Sequence, residues 1–219
     1  MEAIMLKAVI FDLDGVIVNT VPVHFEAWKK MFSEYGKNFT FEDYKNKVDG
    51  IPRIDGAKAI LTDLDESTLS EAATKKQSYF LEFLAQEPIQ QYDTTVNLIH
   101  DLKKQHIKVA VISSSKNCKF VLDKIKLTQF LDIIITGNDI TKGKPDPQVF
   151  LLAATRLNTP PSECVVFEDA VLGVQAAKNA GMFCVGIDRY KSPDRLKKAD
   201  IVIDDAGKII AEILVEKLK

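Results

Sequence analysis

The sequence predicts an α/β fold, a doubly wound Rossmann-like parallel sheet core with a small inserted helical domain, and three observations lead there. The chain opens on an apolar, strand-favouring run that ends in two aspartates and a glycine, KAVIFDLDGVIVNT over residues 7–20. Between about residues 21 and 90 apolar residues recur at helical spacing, with no convincing strand among them. From Tyr92 onward short, fully apolar runs alternate with helical stretches. Fully apolar strands belong to sheets covered by helices on both faces, and strands separated by helices imply right-handed parallel crossovers.

Taken in order, the first strand covers residues 8–11. HFEAWKKMFSEYG then sets Phe25, Trp28, Phe32 and Tyr35 near one helical face, with Gly36 as the stop. STLSEAATKKQSYFLEFLAQ gives a second long helix with Ser70 as its expected N-cap and Phe80, Phe83 and Leu84 apolar. Strands are expected at 107–113, 132–136, 164–169, 183–188 and 200–204. The domain reading is a discontinuous α/β core, 1–20 with 91–219, interrupted by a helical cap over 21–90.

Composition excludes several classes. With 219 residues, 46% hydrophobic and 27% charged, the chain can bury a substantial core. A net charge of −2 leaves no basic field for nucleic acid or anionic lipid. No apolar run approaches membrane-spanning length and MEAIMLK lacks a signal-peptide pattern, so the expected setting is cytoplasmic, with no membrane partner. Cys118, Cys164 and Cys184 are odd in number and far apart, which reads as buried structural thiols. Three histidines without an H-E-x-x-H run argue against zinc. Nothing in the chain signals an interface, and a monomer is the default.

The chemistry starts from Asp12 and Asp14. They flank Leu13, so in an extended chain both side chains point to the same side. Two carboxylates held that close repel unless a proton or cation lies between them, and Mg2+ answers that need with its preference for carboxylate, carbonyl and water oxygens. In doubly wound sheets ligands bind beyond the carboxyl ends of the strands, near the switch point. At such ends the sequence sets Asp12 and Asp14, Ser113, Lys144 in the loop TKGKPDP, and Glu168 with Asp169. Acids for Mg2+, a lysine and hydroxyls for phosphate oxygens, and an aspartate able to form an aspartyl-phosphate together suit phosphoryl transfer. A second aspartate can give and take the proton.

Four stretches now carry a resemblance: VIFDLDGVIVNT with Asp12, Asp14 and Thr20, VAVISSS with Ser113, KGKPDPQVF with Lys144, and VVFEDAVLGVQAAKNAG with Glu168 and Asp169. In this order they resemble the four motifs of the haloacid dehalogenase-like superfamily and span nearly the whole chain. The resemblance implies that Asp12 is the phosphorylated nucleophile and Asp14 the general acid/base, with its backbone carbonyl on Mg2+. Asp169, with Glu168, would complete the metal site, while Ser113 and Lys144 would bind the phosphoryl group.

The helical insert resembles the cap of the β-phosphoglucomutase-like branch. That implies substrate roles for Thr20, for His24 in VHFEAW, for Gly50 and Arg53 in DGIPR, for Lys76 in ATKKQ, and for Ser115, Lys116 and Asn117 in SSSKN. Two positions depart from the branch's pattern: Asp49 stands where it has lysine, and Gly56 where it has serine. The expected activity is Mg2+-dependent phosphoryl transfer on a small sugar phosphate, of the kind that converts β-glucose 1-phosphate to glucose 6-phosphate. The alternative is a sugar-phosphate phosphatase. A noncatalytic sugar-phosphate sensor is the remote third reading, and the presence of both Asp12 and Asp14 argues against it.

Overall fold

The computed structural model describes residues 6–49, 51–86 and 88–209. One sheet runs through it, made of β1 (Ala8–Asp12), β2 (Lys108–Ile112), β3 (Ile133–Ile135), β4 (Cys164–Glu168), β5 (Phe183–Ile187) and β6 (Ile201–Ile203). Every neighbouring pair is parallel, and the order is β3-β2-β1-β4-β5-β6. Among the described residues the α-helices are α1 (Val21–Glu34), α2 (Phe41–Asp43), α3 (Arg53–Lys58), α4 (Glu66–Gln86), α5 (Asp93–Lys104), α6 (Cys118–Lys124), α7 (Gln148–Arg156) and α8 (Val171–Asn179). None is long and apolar enough to cross a membrane. The chain divides into two compact units, one formed from the stretches before residue 20 and after residue 90, the other from residues 20–90. Thr20 thus groups with the second unit.

This is the doubly wound α/β core that the sequence predicts. The strand order reverses at β1, which β2 and β4 flank, and a crevice beyond the carboxyl ends forms at such a point. β1 is buried along its whole length, including Asp12. On one sheet face Ala8, Ile10, Ala110, Ile112, Val166 and Cys184 pack with Val149, Phe150 and Ala153 of α7 and with Val174 and Ala177 of α8. On the other face Phe11 and Phe167 stack across β1 and β4 with ring centroids 4.9 Å apart. All three cysteines are buried and free, and burial pushes their thiols up, which makes them inert.

β1 runs one residue past its expected end, to Asp12, while each of the other five strands lies within the run that announced it and is shorter at one or both ends. The clearest case is a device repeated on both sides of the sheet. Asp132, just before β3, donates its N–H to the Val109 carbonyl at 2.9 Å and accepts the Val109 N–H on its carboxylate at 2.7 Å. Asp200, just before β6, does the same to Cys184, at 2.9 and 2.7 Å. Each carboxylate also takes a lysine, Lys103 or Lys178, from the helix that precedes the inner strand. A carboxylate stands in for the next rung of the ladder, so the inner strand's amide is satisfied where the outer strand has not yet begun.

Among its described residues the second unit is built of helices joined by turns and loops. Trp28, Met31 and Phe32 of α1 pack with Phe39, Tyr44, Val48, Ala57, Leu61, Leu69 and Ala72. Gly36, at φ +67°, follows the end of α1. Thr40 and Asp43 cap α2 reciprocally, and the chain continues into one π-helical turn over Tyr44–Val48. The expected start of α4 at Ser70 is corrected: the helix begins at Glu66, and the Asp65 carboxylate accepts the Thr68 N–H at 2.8 Å. Asp65 is an acidic cap five residues upstream, and it outcompetes a serine that is left inside the helix.

Asp132→Ala is expected to destabilise the protein by about 1–3 kcal/mol in urea, because it strips the acceptor from a buried amide. Unchanged stability would show that the carboxylate rung contributes nothing.

Candidate active site

Asp12 closes β1 at the switch point, and its carboxylate is buried at 6% exposure. The loop after β3 brings in Lys144, whose Nζ donates to Asp12 Oδ1 at 2.5 Å and to Glu168 Oε1. The loop is pinned on both sides. Gln148, in the first turn of α7, accepts the N–H groups of Thr141 and Lys142 on its Oε1 at 2.8 Å each, and Asn179 donates to the Pro145 carbonyl at 3.0 Å. Glu168 is fully buried at the end of β4, and its second oxygen accepts the Ala170 N–H at 2.8 Å. Gly173, on the first turn of α8, faces the same carboxylate and has no room for a Cβ.

This grouping sets the electrostatics. Burial pushes the Asp12 carboxyl up to about 8; Lys144 pulls it down, and Glu168 and Asp14 push it further up. Burial acts against the Lys144 charge, but Asp12 and Glu168 overcome it and hold the ammonium well above its usual range. One cation faces several acids, so negative charge is in excess around Asp12.

Asp14 lies two residues on, in a tight turn where the Ile17 and Val18 N–H groups both reach the Leu13 carbonyl, at 2.9 and 3.1 Å. Ser113 donates its hydroxyl to Asp14 Oδ2 at 3.3 Å and accepts the Ser115 N–H at 3.0 Å. Ser115 in turn accepts the Asn117 N–H at 3.1 Å, while the buried Nδ2 of Asn117 has no hydrogen-bond partner among the described residues. Lys116 is exposed on the same loop. Asp169 follows Glu168 and presses its carboxylate against Gly15, which sits at φ +79° and leaves no room for a Cβ. Glycine is therefore needed at position 15 twice over, for the left-handed turn and for the close approach of an acid.

The core part of the predicted site is thus brought together: Asp12, Asp14, Ser113, Lys144, Glu168 and Asp169, with Ser115 and Asn117 on the adjoining loop. The second unit gathers its own set. Lys76, only 1% exposed, sets its Nζ at hydrogen-bond distance from His24 Nδ1, 2.8 Å, and 5.1 and 5.0 Å from the Trp28 and Phe80 ring centroids. The His24 ring stacks on Phe80 at 4.2 Å. Thr20 is buried and its carbonyl accepts the His24 N–H at 2.8 Å. Arg53 opens α3 and donates to the Ala73 carbonyl at 3.4 Å. Gly50 lies outside the described residues. Gly56 has a physical reason: a Cβ there would stand 2.8 Å from Trp28 Cζ2.

The model of the haloacid dehalogenase-like hydrolases matches residues 9–187, which takes in Asp12 through to the end of β5. The chain belongs to the haloacid dehalogenase-like family. Within it the chain falls in the β-phosphoglucomutase-like branch. It is 32% identical to a β-phosphoglucomutase of Bacillus subtilis over 97% of this chain and 95% of that one. It is 33% identical to a phosphorylated carbohydrates phosphatase of Thermotoga maritima over 81% of this chain and 82% of that one. The crystal structure of a β-phosphoglucomutase from Clostridium difficile superposes with a TM-score of 0.88 at 30% identity, covering 98% of this chain and 97% of that one. The chain is an enzyme of this family.

Sequence reasoning missed what holds the haloacid dehalogenase-like site in place. Both oxygens of Glu168 are engaged, by Lys144 and by the Ala170 amide, so its visible part is to hold the lysine. Gly15 and Gly173 make room for the two acids; their signal was a glycine one residue after Asp14 and another at the start of the helix after Asp169. Gln148 and Asn179, which pin the lysine loop, carry no signal short of the fold.

Lys144→Met is expected to destabilise the metal-free protein by about 3–5 kcal/mol near pH 8, since two buried carboxylates lose their cation. The loss should shrink toward pH 5, where the Asp12 carboxyl can take up a proton. Equal losses in urea melts at both pH values would contradict this account.

Proposed function

We propose that this enzyme transfers a phosphoryl group from a small sugar phosphate to Asp12 and on to a second hydroxyl, as in the conversion of β-glucose 1-phosphate to glucose 6-phosphate. The observation that carries the reading is the buried Asp12 carboxylate at the switch point, held by Lys144, with Asp14 two residues away on the hydroxyl of Ser113. The match to the Bacillus subtilis β-phosphoglucomutase over 97% of the chain supports the mutase form.

In this reading an Asp12 oxygen bonds to phosphorus while the bond to the sugar oxygen breaks, and Asp14 gives its proton to that oxygen. The acceptor hydroxyl then returns a proton to Asp14 as its oxygen takes the phosphoryl group, and Asp12 leaves as a carboxylate. Lys144 offsets charge on the transferring oxygens, and the Ser113 hydroxyl turns from Asp14 to one of them. The unpartnered Nδ2 of Asn117 suits an oxygen-rich ligand beside Ser115 and Lys116. Thr20, His24, Arg53 and Lys76 are assigned to recognition of the sugar and its distal phosphate.

Mg2+ fits this donor set. Among the described residues no three His, Cys, Asp or Glu side chains form a ready-made metal cage. Mg2+ does not require one, since it is held by one or two carboxylates together with water and substrate phosphate. The donors are all oxygens and negative charge is in excess; Asp12, Asp169 and the Asp14 carbonyl would hold the ion, which would neutralise charge on the phosphoryl oxygens. Glu168 serves Lys144 instead.

A phosphatase is the second reading, in which water takes the phosphoryl group from Asp12. Asp49 favours it, because a carboxylate where the branch has lysine weakens the grip on a bisphosphate. Phosphorus NMR with Mg2+, β-glucose 1-phosphate and a trace of glucose 1,6-bisphosphate separates the two. Glucose 6-phosphate without inorganic phosphate is expected; inorganic phosphate as product would make the enzyme a phosphatase, and no turnover would overturn this choice of substrate.

A pH dependence follows from Asp12. Its raised folded-state pKa contributes stability at low pH that is lost as pH rises through about 8. Mg2+ replaces the proton, so the gain in Tm on saturating with Mg2+ is expected to grow between pH 6 and pH 8. A gain that stays level or falls would contradict Asp12 as a ligand.

A further inference from the structure

Arg189 lies two residues past the end of β5, half-buried, outside every motif described above. Its Nε–H donates to the Gly15 carbonyl at 2.6 Å, and its remaining nitrogens reach the carbonyls of Val16 at 3.5 Å and Asp204 at 3.4 Å. The guanidinium carbon sits 3.6 Å from the centroid of the Tyr92 ring. Tyr92 is bonded to the same turn, its N–H reaching the Ile17 carbonyl at 2.8 Å, and the neighbouring Gln91 pairs with Val18. The turn from Leu13 to Val18, which carries Asp14, is therefore gripped from outside by one cation and one aromatic residue.

We propose that Arg189, stacked on Tyr92, is a positioning residue that fixes the Gly15–Val16 carbonyls and so aims the Asp14 carboxyl at the leaving oxygen. A planar guanidinium can donate in several directions within one plane while its face packs on a ring; a lysine offers a point charge without that fork. Gly15 is free to rotate in ways other residues are not, so the turn needs an outside restraint to hold one conformation. Arg189 supplies it on the carbonyl side, opposite the Gly15 N–H that bonds the Val18 carbonyl at 2.8 Å.

The inference rests on Asp14 as the general acid, and leaving-group chemistry tests both. An alkyl phosphate such as a sugar phosphate needs a proton on its departing oxygen, whereas p-nitrophenyl phosphate releases a stable phenolate without one. The value of kcat/KM reads the steps up to that departure. Asp14→Asn is expected to lower kcat/KM for the sugar phosphate by about a hundredfold or more, and for p-nitrophenyl phosphate by less than about tenfold. Arg189→Lys should reproduce that bias with a loss on the sugar phosphate of about tenfold or more, and Tyr92→Leu should show a weaker form of it. Tyr92→Leu carries the comparison if Arg189→Lys does not fold. A biased Asp14→Asn alongside folded Arg189→Lys or Tyr92→Leu enzymes that lose equally on both substrates, or on neither, overturns the proposal and leaves Asp14 standing. An unbiased Asp14→Asn overturns the Asp14 assignment and the positioning role with it.

Discussion

A single ammonium group holds the catalytic end of the sheet together. Lys144 reaches between the last residue of β1 and the last residue of β4, the two strands that meet where the strand order turns. Burial drives the Asp12 carboxyl toward its protonated form, and Lys144 opposes that. The cation does not balance the charge, since Asp14 and Glu168 both push Asp12 upward against it. The remaining imbalance leaves negative charge in excess around Asp12.

Much of the neighbouring structure follows from that requirement. Gly173 leaves space for the Glu168 carboxylate, and the first amide of the following turn satisfies its other oxygen. Gln148 and Asn179 fix the loop that presents the lysine. Gly15 lets Asp169 press close to the turn that carries Asp14. The acids are separate in sequence and arrive on two strands, so each needs its own local device to be held near the others.

The fold was legible because its signals are periodic and local. Runs such as III after Asp132 and CVVF before Glu168 are apolar at every position, which is what double coverage by helices demands. Strand ends were less legible, because Asp132 and Asp200 serve as ladder rungs by side chain, a use that only the finished register reveals. The site's acids, serine and lysine could be read from residue type and position at strand ends. Their supports could not: the bonds of Glu168 to Lys144 and the Ala170 amide were hidden, because an acid beside Asp169 carries no mark of which way it points. Arg189 stands two residues past β5 as Ser113 stands one past β2, and the same strand-end rule carried one residue further would have raised it. Ser70 misled for a different reason, since two residue types compete to cap and only the helix's start decides.

The central claim is that the phosphoryl group passes through Asp12. Rapid quench of the Mg2+-loaded enzyme during turnover of β-glucose 1-phosphate, followed by peptide mapping, tests it most directly. The account predicts a base-labile acyl phosphate on the peptide holding residues 8–14, located at Asp12 and absent from Asp12→Asn. Phosphate found on Asp14 or on any other residue, or an Asp12→Asn enzyme that still turns over at the native rate, would contradict it.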